Sequence, residues 1–320
     1  MSTLMIDRNT IKALMRMSDV VNVVEEAFKA CGEGKGKMPS KVYLSLERGD
    51  FRAMPAALPG CAGVKWVNVH PQNASRGLPS VMAILIYSDP ETGYPLAIMD
   101  ATESTAYRTG AASAIASKYL GRKNAHKLGV IGAGFQAHTQ ILAHAEVFNP
   151  ISIKVFDVSQ GAVERLIQSL PQFSIKGCSI EEALASDIVC TVTPSRSPVV
   201  KKQWIAPGTH INAVGADAPG KEELEPALLK ESVVVVDDVK QTSSSGEINV
   251  PVHTGVYSVE EIYGTLPEIV AGKKKGRADN KSITVFDSTG IAIEDIAVAR
   301  LLYDKAKKAG NCPSVDLVGA

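Results

Sequence analysis

A glycine-rich segment in the middle of the chain does most to narrow its chemistry. An apolar run over 128–131 is followed by Gly132, Ala133 and Gly134, and Ala137 falls in the helical pattern that comes next. In such a turn the first glycine permits the bend, the second admits phosphate close to the backbone, and the small third residue lets the helix pack tightly. The N–H groups of the helix start attract negative charge. The segment therefore predicts a pyrophosphate-binding turn and a dinucleotide cofactor.

An acidic residue at the end of the next strand narrows the choice of dinucleotide. Asp157 ends the strand pattern 152–157, where a carboxylate can accept both ribose hydroxyls of NAD. The same carboxylate would repel the 2′-phosphate of NADP. We therefore expect NAD, with Val158 and Ser159 beside its ribose. The opposing interpretation is that the glycines and Asp157 are incidental to an ordinary helix–strand turn.

Two further strand ends should face the same ligand, because ligands of open parallel sheets gather at the carboxyl ends of strands. Small residues that would let adenine or the pyrophosphate approach follow the first: Thr193, Pro194 and Ser195. The second, where nicotinamide should lie, carries Gly215, Ala216 and Asp217. Asp217 is either catalytic or the N-cap of a following helix.

Cations in the N-terminal part of the chain are candidates for binding an anionic substrate: Lys41, Arg52, Lys65 and Arg108. Lys65 interrupts the apolar pattern 62–67, and a buried lysine is costly unless it meets an anion. It could hold a substrate carboxylate, or act as an acid/base with a depressed pKa. Alternatively, it faces solvent at a sheet edge. Arg52 could likewise either bind the substrate or face solvent at a sheet edge.

Two kinds of element pattern must position these residues. The first part reads as a mainly antiparallel module, with a helix at 18–31, strands at 41–46, 51–54, 62–69, 81–87 and 95–99, and an Ala-rich helix at 103–120. Strand–helix alternation then predicts a parallel sheet with helices on both faces. Its strands are 127–132, 152–157, 187–193, 210–215, 233–238 and 282–288, and its helices are 136–147, 160–169 and 180–186. A last helix, 291–309, should return to the first module.

Bulk properties exclude several classes of partner. Lys plus Arg number 34, as do Asp plus Glu, so the charge gives no reason to expect nucleic acid or an anionic membrane. The apolar runs are shorter than the roughly 18 residues of a transmembrane helix, and the N-terminus does not resemble a secretory signal. The cysteines and histidines lack metal-ligand spacing, so no metal is expected, and reduced thiols favour the cytoplasm.

Motifs along nearly the whole chain resemble the ornithine cyclodeaminase/mu-crystallin family, at 52–55, 65–71, 108–111, 132–134, 215–224 and 287–290. Within it they are most similar to archaeal NAD-dependent alanine dehydrogenases. The resemblance implies a homodimer and an α/β fold. A doubly wound Rossmann NAD-binding domain would occupy 121–299. An α+β substrate-binding and dimerisation domain would comprise 1–120 and the C-terminal helix, 300–320.

The resemblance also implies roles for individual residues. Lys65 would be the acid/base, and Asp217 a base towards water or amine, although the sequence does not separate their roles. Lys41 and Arg108 would bind the substrate carboxylate. Apart from the resemblance, we expect Arg52 to help hold the same carboxylate. The cofactor contacts that it adds are Arg108, Phe135, Gln136, Lys221, Ser288 and Gly290.

One departure from the family pattern bears on the substrate. Ornithine cyclodeaminases carry a glutamate at the position of Arg52, where it meets the distal ammonium of ornithine. An arginine there would repel a second ammonium. We therefore expect a small amino acid/2-oxo acid pair, with oxidative deamination of L-alanine to pyruvate and ammonium. The alternatives are an ornithine cyclodeaminase, an NADPH-dependent ketimine reductase, and a ligand-binding protein without catalysis.

Overall fold

The structure is a computed structural model that describes residues 2–148, 150 and 152–319. The chain forms two compact units. The first combines the residues up to Arg108 with those from Ile291 onwards, and the second is Thr109–Gly290. The first unit is therefore built from both ends of the chain, as expected for a last helix that returns to the first module.

The N-terminal elements are mainly strands, with two early helices and one long helix at the end: β1 (Thr3–Ile6), α1 (Arg8–Leu14), α2 (Met17–Gly32), β2 (Val42–Leu46), β3 (Gly49–Leu58), β4 (Cys61–Val69), β5 (Val81–Ser88), β6 (Pro95–Asp100) and α3 (Thr102–Leu120). A short 3-10 helix, Pro71–Arg76, links β4 to β5. The five strands and two helices that the sequence predicts here are confirmed, with β3 longer at both ends.

The middle of the chain alternates strands and helices: β7 (Lys127–Ile131), α4 (Phe135–Phe148), β8 (Ser152–Phe156), α5 (Gln160–Ser169), β9 (Ile175–Gly177), α6 (Ile180–Leu184), β10 (Ile188–Thr191), β11 (Arg196–Val200), β12 (His210–Ala213), β13 (Glu222–Leu224), α7 (Pro226–Lys230), β14 (Ser232–Val236), α8 (Val239–Ser245), α9 (Asn249–His253), β15 (Gly264–Thr265), α10 (Leu266–Val270) and β16 (Ile283–Asp287). The chain ends with α11 (Ala292–Ala309) and β17 (Ser314–Val315).

The sheet of the first unit has the strand order β17-β1-β6-β5-β4-β3-β2. Its neighbours pair antiparallel, except for the parallel pair β1–β6. Along β5, Leu85 and Tyr87 are buried while Ile84 and Ile86 are exposed. This alternation follows from the two-residue period of a strand. Helix α11 packs on β3, β4 and β5 and covers the face on which Leu85 lies.

The opposite face of this sheet is apolar and exposed. Trp66 lies opposite Ile84 across β4 and β5, and Phe51 stacks on Trp66 with ring centroids 5.2 Å apart. Leu44, Trp66, Ile84 and Ile86 are all exposed. Contiguous exposed apolar side chains of this kind mark an interaction surface. We call these five residues the apolar sheet face.

The sheet of the second unit has eight parallel strands in the order β15-β14-β16-β12-β10-β7-β8-β9. From β7 the chain runs outward to β9 and then crosses to β10 on the other side. The strand order therefore reverses between β7 and β10, and open sheets bind ligands at such a switch point. All six predicted strands belong to this sheet. Its outer strands β9 and β15, of three and two residues, are too short for the sequence pattern to reveal.

The division between the units differs from the predicted boundaries at 120 and 300. Helix α3 continues past the division, and its Ser117 Oγ lies 2.9 Å from His144 Nε2. Asn212 Nδ2 also donates to that hydroxyl at 2.8 Å. These buried polar contacts assign the later turns of α3 to the second unit. Helix α11 belongs entirely to the first unit, so the second unit ends at Gly290.

Candidate functional site

Lys65 lies in the middle of β4 with its side chain only 1% exposed. Its Nζ is 2.7 Å from Oδ1 and 2.7 Å from Oδ2 of Asp295 in α11, and 3.4 Å from Thr105 Oγ1. A buried ion pair explains how a lysine can interrupt an apolar strand. The interpretation of Lys65 as a surface residue at a sheet edge is therefore wrong.

Arg108 joins the same buried cluster from α3. Its Nη1 lies 2.8 Å from Glu294 Oε2, and its Nε lies 3.1 Å from Asp295 Oδ1. Asp295 therefore accepts from both Lys65 and Arg108. Sequence reasoning missed Glu294 and Asp295, because acidic residues in the first turn of a helix are ordinary. Their pairing with residues so distant in sequence has no local signal.

The environment of Lys65 changes its acidity. Burial lowers the pKa of Lys65 to about 7, while the charge of Asp295 opposes the shift and the charge of Arg108 adds to it. An amine with such a pKa exchanges its proton near neutral pH, which is the property of an efficient general acid or base.

Arg52 and Lys41 come together around one aromatic ring. Arg52 Cζ lies 5.2 Å and Lys41 Nζ 5.9 Å from the ring centroid of Tyr43. Arg52 is 5% exposed, and its Nε and Nη2 donate to Asp50 Oδ1 and Oδ2 at 2.7 and 3.3 Å. Asp50 was not predicted, and its carboxylate fixes the plane of the guanidinium.

The register of β3 and β4 places two of these cations on the same side of the sheet. Arg52 lies opposite Val67, and Lys65 lies opposite Met54. Residues two apart on a strand, and directly opposed residues on neighbouring strands, point to one face. Arg52 and Lys65 therefore share the face that α11 covers, and this face can bind a carboxylate.

In the second unit, Gly132 and Gly134 follow β7, and the backbone and its surroundings restrict the two positions differently. Gly132 has φ 100°, and a Cβ there would lie 3.1 Å from the carbonyl oxygen of Val192. The fold itself therefore requires Gly132. A Cβ on Gly134 would meet no atom within 4 Å, so packing places no demand on that position. An open approach to the backbone just before α4 is what a phosphate group needs.

Asp157 joins this turn to the loop after β8. The N–H of Ala133 donates to its Oδ2 at 2.7 Å, and the N–H of Ser159 donates to its Oδ1 at 2.8 Å. Ser159 also caps α5 by accepting from the N–H of Ala162. Val158 between them is 96% exposed.

One buried carboxylate holds the ends of β10 and β12. The N–H of Thr193 donates to Glu223 Oε1 at 2.7 Å, and the N–H of Gly215 donates to Glu223 Oε2 at 2.8 Å. The backbone of Thr193 and Pro194 thus follows directly from a fixed strand end. Glu223 was not predicted as part of the site.

Asp217 lies in the loop after β12, where its Oδ1 accepts from Lys221 Nζ at 2.6 Å. The interpretation of Asp217 as an N-cap is wrong. The next helix is α7, whose N-cap is Glu225. The pair with Lys221 keeps the carboxylate of Asp217 oriented at the edge of the sheet.

Ser288 and Gly290 follow β16 at the same edge. Ser288 is buried, and its Oγ has no hydrogen-bond partner among the residues that the structure describes. The N–H of Gly290 donates to Asp237 Oδ2 at 2.7 Å. A buried hydroxyl of this kind is expected to meet a polar group of a ligand. The remaining predicted contacts flank these strand ends: Phe135 and Gln136 in the first turn of α4, Ser195 after β10 and Ala216 after β12.

Two kinds of feature are absent from residues 2–148, 150 and 152–319, the part of the chain that the structure describes. Within it, no three His, Cys, Asp or Glu side chains are grouped so that they could bind a metal ion. Across the same residues, no helix combines the length and apolarity needed to span a membrane.

The fold and its strand-end crevice define a doubly wound α/β domain of the Rossmann type joined to an α+β domain. The chain belongs to the ornithine cyclodeaminase/mu-crystallin family, whose model matches residues 1–310. It is 49% identical over 308 residues to an alanine dehydrogenase of Archaeoglobus fulgidus, covering 96% of each chain.

Solved structures agree with this placement. An archaeal alanine dehydrogenase dimer with bound NAD superposes with a TM-score of 0.97 and 48% identity, covering 99% of this chain and 100% of the other. The Δ1-pyrroline-2-carboxylate reductase of Thermococcus litoralis, in complex with NADH and L-proline, has a TM-score of 0.94 and 40% identity, covering 98% and 100%.

Proposed function

We propose that the chain is an NAD-dependent L-alanine dehydrogenase that catalyses the reversible oxidative deamination of L-alanine to pyruvate and ammonium. The observation that carries the proposal is the buried Lys65, with a pKa near neutrality, on the same sheet face as Arg52. The likeness to alanine dehydrogenases over nearly the whole chain supports it.

The second unit would hold NAD at its strand ends. Bound NAD supplies the acceptor for the hydride of the substrate Cα. Gly134 leaves room for a pyrophosphate, and Asp157 would accept the ribose hydroxyls and disfavour a 2′-phosphate. Ser288 Oγ is a buried donor at the proposed nicotinamide end. The other proposed cofactor contacts are Arg108, Gly132, Phe135, Gln136, Val158, Ser159, Thr193, Pro194, Ser195, Gly215, Ala216, Asp217, Lys221 and Gly290.

The first unit would bind the substrate by its carboxylate. Arg52, Lys41 and Arg108 supply guanidinium and ammonium donors, and charge-assisted hydrogen bonds from such groups are strong and directional. Arg52 is oriented by Asp50. Its positive charge would repel a second substrate ammonium, which favours alanine over ornithine.

Lys65 and Asp217 are the candidates for moving protons. The substrate amine must lose a proton before its lone pair can form the C=N bond. With its pKa near 7, Lys65 Nζ can take that proton at neutral pH and return it to the departing amine. Asp217 would then assist the addition of water to the imine, or the two residues exchange these roles.

A second candidate function is the reduction of a cyclic imine. It is favoured by the likeness to a Δ1-pyrroline-2-carboxylate reductase. The same carboxylate-binding cations and the same lysine would serve that reaction, because its substrate is also an imine beside a carboxylate. The ornithine cyclodeaminase alternative is disfavoured by Arg52.

We also propose that the protein is a homodimer that buries the apolar sheet face. That face is contiguous and exposed on a single chain, and one similar structure is a dimer. A cytoplasmic location, expected from the sequence, remains a prediction.

One assay distinguishes these functions. NADH absorbance is followed at neutral pH in three parallel reactions. Two contain NADH, one with pyruvate plus ammonium and one with a cyclic imine that carries a carboxylate. The third contains NAD and ornithine. Alanine dehydrogenase predicts NADH loss that requires both pyruvate and ammonium. Loss with the cyclic imine alone identifies the reductase, and proline release from ornithine without net NADH change identifies the cyclodeaminase. Either result would replace the leading proposal.

A further inference from the structure

Three buried carboxylates in the second unit form a chain of hydrogen bonds, in which each accepts from the backbone N–H of another residue of the chain or of a strand end. Asp287, at the end of β16, accepts from the N–H groups of Glu247 at 2.9 Å and Ile248 at 3.1 Å. Glu247 Oε1 accepts from the N–H groups of Glu223 at 2.9 Å and Leu224 at 2.6 Å. We call Asp287, Glu247 and Glu223 the carboxylate relay.

The last member of the relay reaches two strand ends. Glu223 accepts from the N–H groups of Thr193 and Gly215 and, at 2.7 Å, from the hydroxyl of Thr191. These residues lie at the ends of β10 and β12, where the proposed cofactor contacts begin. A backbone path therefore runs from the end of β16 to both of these loops.

Glycines allow the backbone to close on two of these carboxylates. A Cβ on Gly246 would lie 2.6 Å from Asp287 Oδ1, and a Cβ on Gly215 would lie 2.6 Å from Glu223 Oε1. Real Cβ atoms do not approach oxygen so closely, so a side chain at either position would break the corresponding contact. Gly215 is thus required by Glu223 and also by the carbonyl oxygen of Thr193, which would lie 2.1 Å from the same Cβ.

The relay is costly to bury, which argues that its geometry matters. All three members are 0% exposed, and a buried carboxylate is costly unless it is well hydrogen-bonded. Burial raises the pKa of Glu223. Burial, together with the negative charges of Glu223 and Asp287, raises the pKa of Glu247 well above its usual value. A proton on Glu247 would separate two like charges.

We propose that the carboxylate relay positions the loops after β10 and β12, so that Asp287 and Glu247, through Glu223, govern how tightly these loops bind a dinucleotide. The inference rests on the proposed function because it assigns the loops to NAD. Its members are positioning residues, since they act through the backbone of Thr193 and Gly215.

The test compares Glu223→Gln and Asp287→Asn with Asp187→Asn. Asp187 also accepts two backbone N–H groups, from His126 and Lys127 at 2.9 and 3.0 Å, but at the amino end of the strands. The dissociation constant of NADH, measured by its fluorescence, should rise at least tenfold in the two relay variants and less than threefold in the control. In turnover assays KM for NAD should rise while kcat changes less than threefold.

A second measurement does not need the cofactor. Amide hydrogen exchange of peptides containing Thr193 and Gly215 should accelerate in both relay variants and not in Asp187→Asn. Glu247→Ala should behave like the relay variants, and Glu247→Gln, which keeps an accepting carbonyl oxygen, should restore most of the wild-type protection.

These outcomes separate the two proposals. If the wild-type protein binds NADH but Asp287→Asn changes neither the affinity nor the exchange of the two loops, the relay proposal is wrong. If the wild-type protein does not bind NADH, the proposed function fails, and the exchange data decide the relay alone.

Discussion

Lys65 and Asp295 form a buried ion pair with Nζ 2.7 Å from Oδ1, although 230 positions separate them in sequence. Asp295 also accepts from Arg108, so one carboxylate forms ion pairs with two cations of the proposed substrate site. The protonation state of Lys65 therefore depends on a residue from the opposite end of the chain.

Lys65→Ala should reduce turnover at least about a thousandfold, because it removes the amine that would take the proton of the substrate. NADH affinity should stay within threefold of wild type, since most of its proposed contacts lie in the second unit. Steady-state rates and NADH fluorescence titration measure the two effects. Lys305→Ala, which removes the partly exposed pair with Asp19, is the control and should keep full activity. Near-normal turnover in Lys65→Ala would remove Lys65 from the mechanism.

Asp295→Asn should shift the pH dependence of alanine oxidation. If Lys65 is the base, kcat/KM rises with pH as its ammonium deprotonates, through a pKa of about 7. The charge of Asp295 raises that pKa, so its removal should move the rising limb to lower pH, by on the order of one unit. Glu294→Gln should cause a smaller shift in the same direction. A shift to higher pH in Asp295→Asn would contradict this assignment.

Gly134→Ala should fold normally and bind NAD poorly. Its Cβ would meet no atom within 4 Å, so the free energy of unfolding should change by less than about 0.5 kcal/mol. The methyl group would occupy the proposed pyrophosphate position, and NADH affinity should fall at least tenfold. Gly129→Ala is the contrasting variant. Its Cβ would lie 2.1 Å from the carbonyl oxygen of Ala183, so thermal stability should fall. Unchanged NADH affinity in Gly134→Ala would place the phosphate elsewhere.

Two buried histidines should make the protein less stable in acid. Burial lowers the pKa of His144 to about 4 and that of His210 to about 3. Below about pH 6.5 these histidines are protonated in the unfolded chain but stay neutral in the folded chain. The free energy of unfolding therefore falls as the pH falls from 6.5 towards 4. His144 alone should account for on the order of 3 kcal/mol by pH 4.

Urea denaturation between pH 7.5 and 4.5 measures this loss. His144→Gln should flatten the dependence because the replacement does not titrate, even if it lowers stability at pH 7.5. An equally steep loss of stability in His144→Gln would attribute the acid sensitivity to other groups.

Ile84→Glu should convert the proposed dimer to monomers. Ile84 lies in the apolar sheet face, directly opposite Trp66, and a buried unpaired carboxylate there would be costly. Analytical ultracentrifugation at micromolar concentration should show the mass halved. Val256→Glu, at an exposed apolar residue of the second unit, should leave the mass unchanged. A wild-type monomer, or a dimer that survives Ile84→Glu, would contradict the assignment of this face.

What the sequence predicts well is local. Strand β5 and the turn from β7 into α4 depend on neighbouring residues and are predicted from the sequence, as is the parallel sheet of the second unit. Lys65 could be singled out because it is a charged residue between apolar neighbours, and this contrast is visible within a few positions of the sequence.

Partners distant in sequence could not be anticipated. Glu223 looks like an ordinary acidic residue of a loop, and its role appears only when Thr193 and Gly215 are brought together by β10 and β12. The same holds for Asp295 and for the division within α3, which falls at Arg108 inside one continuous helix. These features depend on tertiary contacts that no periodicity encodes.

The construction of the first unit from both ends of the chain has a consequence for biosynthesis. A ribosome adding about 5 to 20 residues per second would produce Asp295 roughly 10 to 50 s after Lys65. During that interval the sheet face that carries Lys65 lacks both its covering helix and its counter-charge. The whole of the second unit, Thr109–Gly290, is translated in the same interval and is complete before α11 begins. Catalytic competence should therefore be among the last properties that a newly made chain acquires, and a chain arrested before α11 should have none.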